Sequence, residues 1–329
     1  MGVSLLQRKG LRWGKAILRW AVMAATILFL GHALRGHGAE VRALLITSQG
    51  TPVAVRLLAA SLSITLLAHG WSGWVWSWIL QALQQPIDGR WALVVYLKTN
   101  LWKYLPGNLW HFYGRIQALR HRSIPLGPAV VGVILDPVLM AAAALLLGLA
   151  APTRHWPWQL ALLILVLAGL HPVILNPLLE HLGQSKLRSR TPPTVILPTP
   201  APPILPQTTQ QVALLNHYPL KPLAGAMGFV LLRGFGFGLI IHALNPLAAD
   251  RWLTILGRFS FAWLAGLVIP GAPGGLGVFE ALALPLLQDQ MSVATILTAV
   301  ALYRLMSTLA EAIGAAVAYG VFRSHDLGP

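Results

Sequence analysis

The chain has 329 residues, of which 10% are charged and 56% hydrophobic, with a mean hydropathy of +0.66; a soluble domain carries roughly 25% charged residues, so an ordinary water-soluble fold is excluded. The formal net charge is +15, but Lys and Arg lie mainly between and beside apolar runs, which is the pattern of loops facing anionic lipid head groups and not of a nucleic-acid surface. There are no cysteines, so disulfides, thiolate nucleophiles and thiolate metal sites are ruled out.

The first apolar run, Ala16 to Leu34, follows Arg8, Lys9, Arg12 and Lys15. It is long for the core of a signal peptide and reads as an anchor helix with a cytoplasmic N-terminus. A second run from Val53 to Leu83 ends in Trp71, Trp74, Trp76 and Trp78, which suit a membrane interface where an apolar ring and a polar N–H are both satisfied. Asp88-Gly89-Arg90 then forms a turn.

The stretch from Trp91 to Leu119 is apolar enough to enter the membrane, yet it carries Lys98, Asn100, Lys103, Pro106, Gly107, Asn108, His111 and Arg115. Irregular, polar backbone at membrane depth survives only where protein or water surrounds it. The reading is a re-entrant hairpin with its tip at Pro106-Gly107. Two further spans follow, Gly127 to Ala150 and Trp158 to Leu175, ordinary apart from Asp136. Residues 176–219 hold Thr191-Pro192-Pro193 and the proline-rich run from Pro198 to Pro206. Proline cannot donate a backbone hydrogen bond, so this is an extended linker, and its Lys and Arg place it in the cytoplasm. The chain thus divides into a membrane half over 1–175, the linker over 176–219 and a second membrane half over 220–329.

In the second half, a span from Leu220 to Leu244 precedes an apolar run from Trp252 to Ile269. Next come Pro270-Gly271-Ala272-Pro273-Gly274-Gly275-Leu276-Gly277, a short apolar piece from Val278 to Leu287 and a last span from Val293 to Phe322. Two prolines and four glycines make a break and not a kink. A second re-entrant hairpin, entering from the opposite face, puts Arg323 in the cytoplasm. The expected fold is all-α, a polytopic integral membrane helical bundle of about six full spans and two re-entrant hairpins. Oppositely oriented broken elements suggest an inverted repeat with a site near the midplane. If Trp252 to Ile269 crosses fully, the C-terminus changes side.

Two motifs carry a family resemblance: Lys103-Tyr104-Leu105-Pro106-Gly107-Asn108-Leu109-Trp110-His111-Phe112-Tyr113-Gly114-Arg115, and Pro273-Gly274-Gly275-Leu276-Gly277-Val278-Phe279-Glu280. In this order, with apolar spans around them, they resemble the transmembrane, flippase-type region of the lysylphosphatidylglycerol synthase family. Arg304-Leu305 resembles the Arg-Leu that follows the glycine motif there. The resemblance implies a multi-pass cell-membrane protein that moves a lipid head group between leaflets. It also implies no lipid aminoacylation by this chain, since no counterpart of the soluble transferase domain is seen.

The candidate residues have chemistry of their own. His111 and Arg115 are four apart and share a helix face; with Lys103 they can hold a lipid phosphate, Arg as a fork and Lys as a point charge, or simply reach to the interface. Glu280 heads a short apolar helix, where the dipole favours a carboxylate, and an ionisable residue within a membrane usually pairs or lines a pathway. Arg304 and Glu311 are seven apart on one face and, with Asp136 and Arg233, read as buried pairs. His69, His171 and His242 lack metal-ligand spacing, and no Ser, His and Asp set suggests a hydrolase. The expected substrate contacts are Lys103, Tyr104, Asn108, His111, Arg115, Glu280 and Arg304, with structural breaks at Pro106, Gly107, Pro273, Gly274, Gly275 and Gly277. The expected partners are anionic membrane lipids, with no enzyme activity, cofactor, metal or nucleic acid. A different class of function is a non-transporting membrane protein that recruits or regulates a glycosyltransferase or lipid-modifying enzyme.

Overall fold

The computed structural model describes residues 51–104, 109–151, 156–177, 215–269 and 277–321. The anchor at Ala16 to Leu34, most of the linker, Pro106, Gly107, Asn108, Pro273, Gly274, Gly275 and Arg323 lie outside the described residues. All regular structure among the described residues is helical. The elements are α1 (Thr51–Ala82), α2 (Gly89–Asn100), a 3-10 turn (Leu101–Tyr104), α3 (Trp110–His121), α4 (Leu126–Gly148), α5 (Trp156–Gly169), α6 (Leu220–Leu244), α7 (Arg251–Val268), α8 (Val278–Leu287) and α9 (Val293–Val321).

Four of these, α1, α4, α6 and α9, are long and apolar enough to cross a membrane. A helix rises about 1.5 Å per residue and the hydrocarbon core is roughly 30 Å thick. At 23 residues, the shortest of the four covers that thickness. Outward residues such as Leu67, Ile134 and Val317 are more than half exposed, as expected of side chains that meet lipid. The protein is a membrane-embedded helical bundle. By contrast α2 and α3 have 12 residues each and α8 has 10, about 18 and 15 Å of helix, which is half a crossing.

Helix boundaries follow local chemistry. Asp88 caps α2, its carboxylate accepting the Trp91 N–H at 3.0 Å, which satisfies one of the orphan amides of the first turn. Gly277 opens α8 with φ of 90°, a conformation costly for any residue bearing a Cβ. The 14-residue α5 ends at Gly169, shorter than the span expected from Trp158 to Leu175, and helix resumes only at 172–177. Pro172 cannot continue the preceding hydrogen-bond ladder.

The two sequence halves share their interior. Helix α6 lies along α1, tied by Ser61 Oγ donating to the Gly236 carbonyl at 2.8 Å and by Trp71 Nε1 donating to the Gly225 carbonyl at 2.8 Å. One core joins α1, α2, α4 and α6 around Trp76, Leu80, Leu139 and Val230. A second joins α6 to α9 around Phe237, Phe259, Phe279 and Tyr303, four rings with centroids 5.2 to 6.0 Å apart. The tryptophan cluster is not a uniform interface belt. Trp71 and Trp74 are exposed, but Trp76 is fully buried and donates to the Gly132 carbonyl at 3.1 Å. Their shared run concealed that α1 turns opposite faces to lipid and core. The ends of the linker also meet, Asn176 exchanging hydrogen bonds with the Leu215 backbone at 2.9 and 3.0 Å.

Candidate functional site

The interior of this bundle contains a seam of ionisable side chains carried by α1, the 3-10 turn, α3, α4, α6, α8 and α9. Taking charge out of water is expensive, and such groups persist inside a protein only when paired and hydrogen-bonded. Their partners therefore define what each can do.

At one end, Arg115 on α3 is 2% exposed and its Nη1 donates to Asp136 Oδ2 on α4 at 3.1 Å. The guanidinium lies 3.6 Å from the centroid of the Tyr96 ring, a cation over an electron-rich face. Tyr96 donates to the same carboxylate oxygen at 3.2 Å and accepts from Ser72 Oγ at 2.8 Å. Arg115 Nε reaches Thr99 Oγ1 at 3.4 Å. This cluster is electrically neutral and closed on itself.

At the other end, Glu280 on α8 and Arg304 on α9 form a fork. Arg304 Nε donates to Oε1 at 2.7 Å and Nη2 to Oε2 at 3.3 Å. The same carboxylate reaches back to accept the Gly277 N–H at 2.7 Å, so Glu280 caps its own helix and anchors it to α9. The spacing of Arg304 and Glu311 suggested that they neutralise one another. In the structure Arg304 pairs with Glu280 and Glu311 pairs elsewhere, because cross-helix partners stand nearer than the residue two turns along.

Between these ends lies the third cluster. Glu311 Oε1 on α9 accepts from Lys103 Nζ of the 3-10 turn at 2.6 Å and stands 3.3 Å from His69 Nε2 on α1. Arg233 on α6 is 5% exposed; its Nη1 donates to Ser307 Oγ at 2.8 Å and lies 3.3 Å from His69 Nε2. Asn100 faces the other side of the imidazole, Nδ2 being 3.5 Å from His69 Nδ1. The clusters run into one another: Thr99 and Asn100 are neighbours on α2, and the Arg233 guanidinium lies 4.9 Å from the Tyr303 ring beside Arg304.

Of the expected substrate contacts, Lys103, Arg115, Glu280 and Arg304 are thus brought into one seam, each in an ion pair. Tyr104 Oη is 3.5 Å from Thr308 Oγ1 on α9. His111 is partly buried beside Phe112, ring centroids 3.9 Å apart, and its Nδ1 has no hydrogen-bond partner among the described residues. Asn108 lies outside the described residues. Sequence reading missed the contacts of His69, treated as a scattered histidine, and gave Arg233 no named partner. The available signal was that each is a lone ionisable group in the middle of a span.

The seam holds four cations, Lys103, Arg115, Arg233 and Arg304, and three carboxylates, Asp136, Glu280 and Glu311. With His69 neutral it keeps one positive charge. That surplus sits on Arg233, which has no carboxylate partner among the described residues and whose buried Nε makes no hydrogen bond there. Comparison with protein-family models, with curated proteins and with solved structures finds no match to this chain.

Proposed function

We propose that the chain binds the head group of an anionic lipid, or of a lipid-linked anion, and moves it across the membrane along the buried seam while the acyl chains stay in the bilayer. The carrying observation is Arg233: a guanidinium in the middle of a membrane span which, among the described residues, has a buried donor unused and no carboxylate of its own. A planar fork of N–H groups is suited to phosphate or carboxylate, and intramembrane charges of this kind mark pathways.

The short helices support the same reading. In it, α2, the 3-10 turn and α3 form one re-entrant hairpin and α7 with α8 the other, beside about six full spans related as an inverted repeat. Each hairpin contributes one partner of an ion pair to α9, Lys103 to Glu311 and Glu280 to Arg304. A movement of either hairpin would change which charges face the seam. The resemblance of the Lys103 to Arg115 and Pro273 to Glu280 motifs to the flippase-type region of the lysylphosphatidylglycerol synthase family points the same way.

The test is leaflet exchange of a fluorescent anionic phospholipid in liposomes, comparing wild type, Arg233→Gln and empty vesicles. Wild type is expected to exchange the probe well above empty vesicles, with Arg233→Gln close to them. Equal exchange in wild type and empty vesicles would remove the proposal.

A further inference from the structure

His69 stands between groups that ask opposite things of it. Its Nε2 is 3.3 Å from Arg233 Nη1, a donor, and 3.3 Å from Glu311 Oε1, an acceptor. A neutral imidazole nitrogen is either a donor or an acceptor. Left bare, Nε2 accepts from Arg233 and turns its lone pair toward the carboxylate. Carrying a proton, it donates to Glu311 and turns N–H toward N–H at Arg233. Either tautomer leaves one contact unmet in a place 4% exposed.

Glu311 is unevenly used. Oε1 takes Lys103, faces His69 and lies 3.5 Å from Ser307 Oγ, whereas Oε2 is buried without a hydrogen-bond partner among the described residues. Its two cationic neighbours also differ. Arg233 is fixed by Ser307 and the Tyr303 ring. The Lys103 side chain is 21% exposed and belongs to a single 3-10 turn, held to α9 through Glu311 and the long Tyr104 to Thr308 contact.

We propose that His69 and Glu311 form a proton-binding site, and that a proton taken up by His69 draws Glu311 away from Lys103 and releases the turn Leu101–Tyr104 from α9. The cluster already has two cations for one carboxylate. A proton on His69 adds a third where charge is poorly screened. Lys103 is the most exposed of the three, and its departure with its own proton restores the original balance. The remaining groups facing the site are His111 on α3 and Tyr303 on α9, which feel the charge of Glu311 without bonding to it, and Asn100 on α2. On α3 and α4, Arg115 and Asp136 are spent on each other. The proposal stands whether or not the chain moves lipid.

The absence of cysteine makes the test clean. Spin labels are placed through Tyr104→Cys and Leu309→Cys, the latter position 41% exposed, in the full chain reconstituted in liposomes. Strong dipolar broadening is expected at about pH 8 and its loss on acidification to about pH 4, because the imidazole takes its proton inside a buried cluster that is already positive. His69→Gln is expected to stay broadened at both pH values and Lys103→Gln to be unbroadened at both. Identical spectra at the two pH values with His69 and Lys103 intact would overturn the proposal, a comparison that needs neither site variant to fold. A pH response surviving in His69→Gln would overturn it too. Lipid exchange is scored in parallel liposomes holding the unlabelled wild-type chain: its absence there, beside an intact pH response of the labelled chain, refutes translocation and leaves the proton site standing.

Discussion

Arg115 and Lys103 come from one stretch of sequence and both end in ion pairs, yet their surroundings differ in kind. Around Arg115, one cation meets one carboxylate, the Tyr96 ring covers the guanidinium, and both residues of the pair are at most 5% exposed. Around Glu311, Lys103 and His69 meet one carboxylate oxygen, and Arg233 reaches the cluster through His69 and Ser307; among the described residues the second oxygen and Arg233 Nε have no hydrogen-bond partner. The first cluster ties α2, α3 and α4 together. The second carries a charge that its described partners do not cancel, and that contrast separates the Arg115 end of the seam from its middle.

Breaking the balanced cluster is expected to have the largest effect. Asp136→Ala leaves Arg115 buried without a counter-charge, a loss of about 3–5 kcal/mol. It should appear as loss of the monodisperse peak in detergent, or as a melting temperature well below wild type. Near-native melting would mean that the pair is dispensable. Glu280→Gln is next, at about 1–3 kcal/mol, because it weakens a fork whose arginine is partly exposed and a helix cap together. Thermal unfolding with the reciprocal Arg304→Gln should show the double variant less destabilised than the sum of the singles.

Gly73→Val sharpens the scaffold side without touching charge. A Cβ there would stand 2.8 Å from the Leu93 Cα, so α1 and α2 must separate, at about 1–3 kcal/mol. Unchanged stability would show that the two helices do not pack as described. Smallest of all is Asp289, in the turn after α8. A hydrogen bond from Arg258 holds its carboxyl below the usual carboxylate range. The sign follows: the stabilisation is complete above the ordinary carboxylate value and disappears as acidification carries the pH through the depressed one. The carboxylate is more than half exposed, so Asp289→Ala should cost less than about 1 kcal/mol. A melting difference from wild type that vanishes in acid would confirm it; a difference independent of pH would not.

Much of this was legible in the sequence, and the exceptions have physical causes. The span at Leu220 to Leu244 and the short apolar piece at Val278 to Leu287 coincide with helices to the residue, because proline and glycine punctuate apolar runs sharply. Charges inside those runs identified Glu280, Arg304, Glu311 and Asp136 as unusual. Their partners were not readable, since pairing depends on which helix faces meet: Glu311 finds Lys103 some 208 residues away, and Arg304 finds Glu280 across 24. His69 was invisible as a site for the same reason. A single histidine on α1 acquires meaning only once α2, α6 and α9 bring Asn100, Arg233 and Glu311 around it.

The surplus positive charge at Arg233 is the central claim, and charge selectivity tests it most directly. Leaflet exchange of an anionic fluorescent lipid is measured against a zwitterionic one of the same acyl chains, in wild type and in Arg233→Gln. Wild type should favour the anionic probe, with the preference falling about tenfold or more in the variant, as expected for loss of one charge-assisted contact. An equal preference in both proteins, or none in wild type, would contradict it.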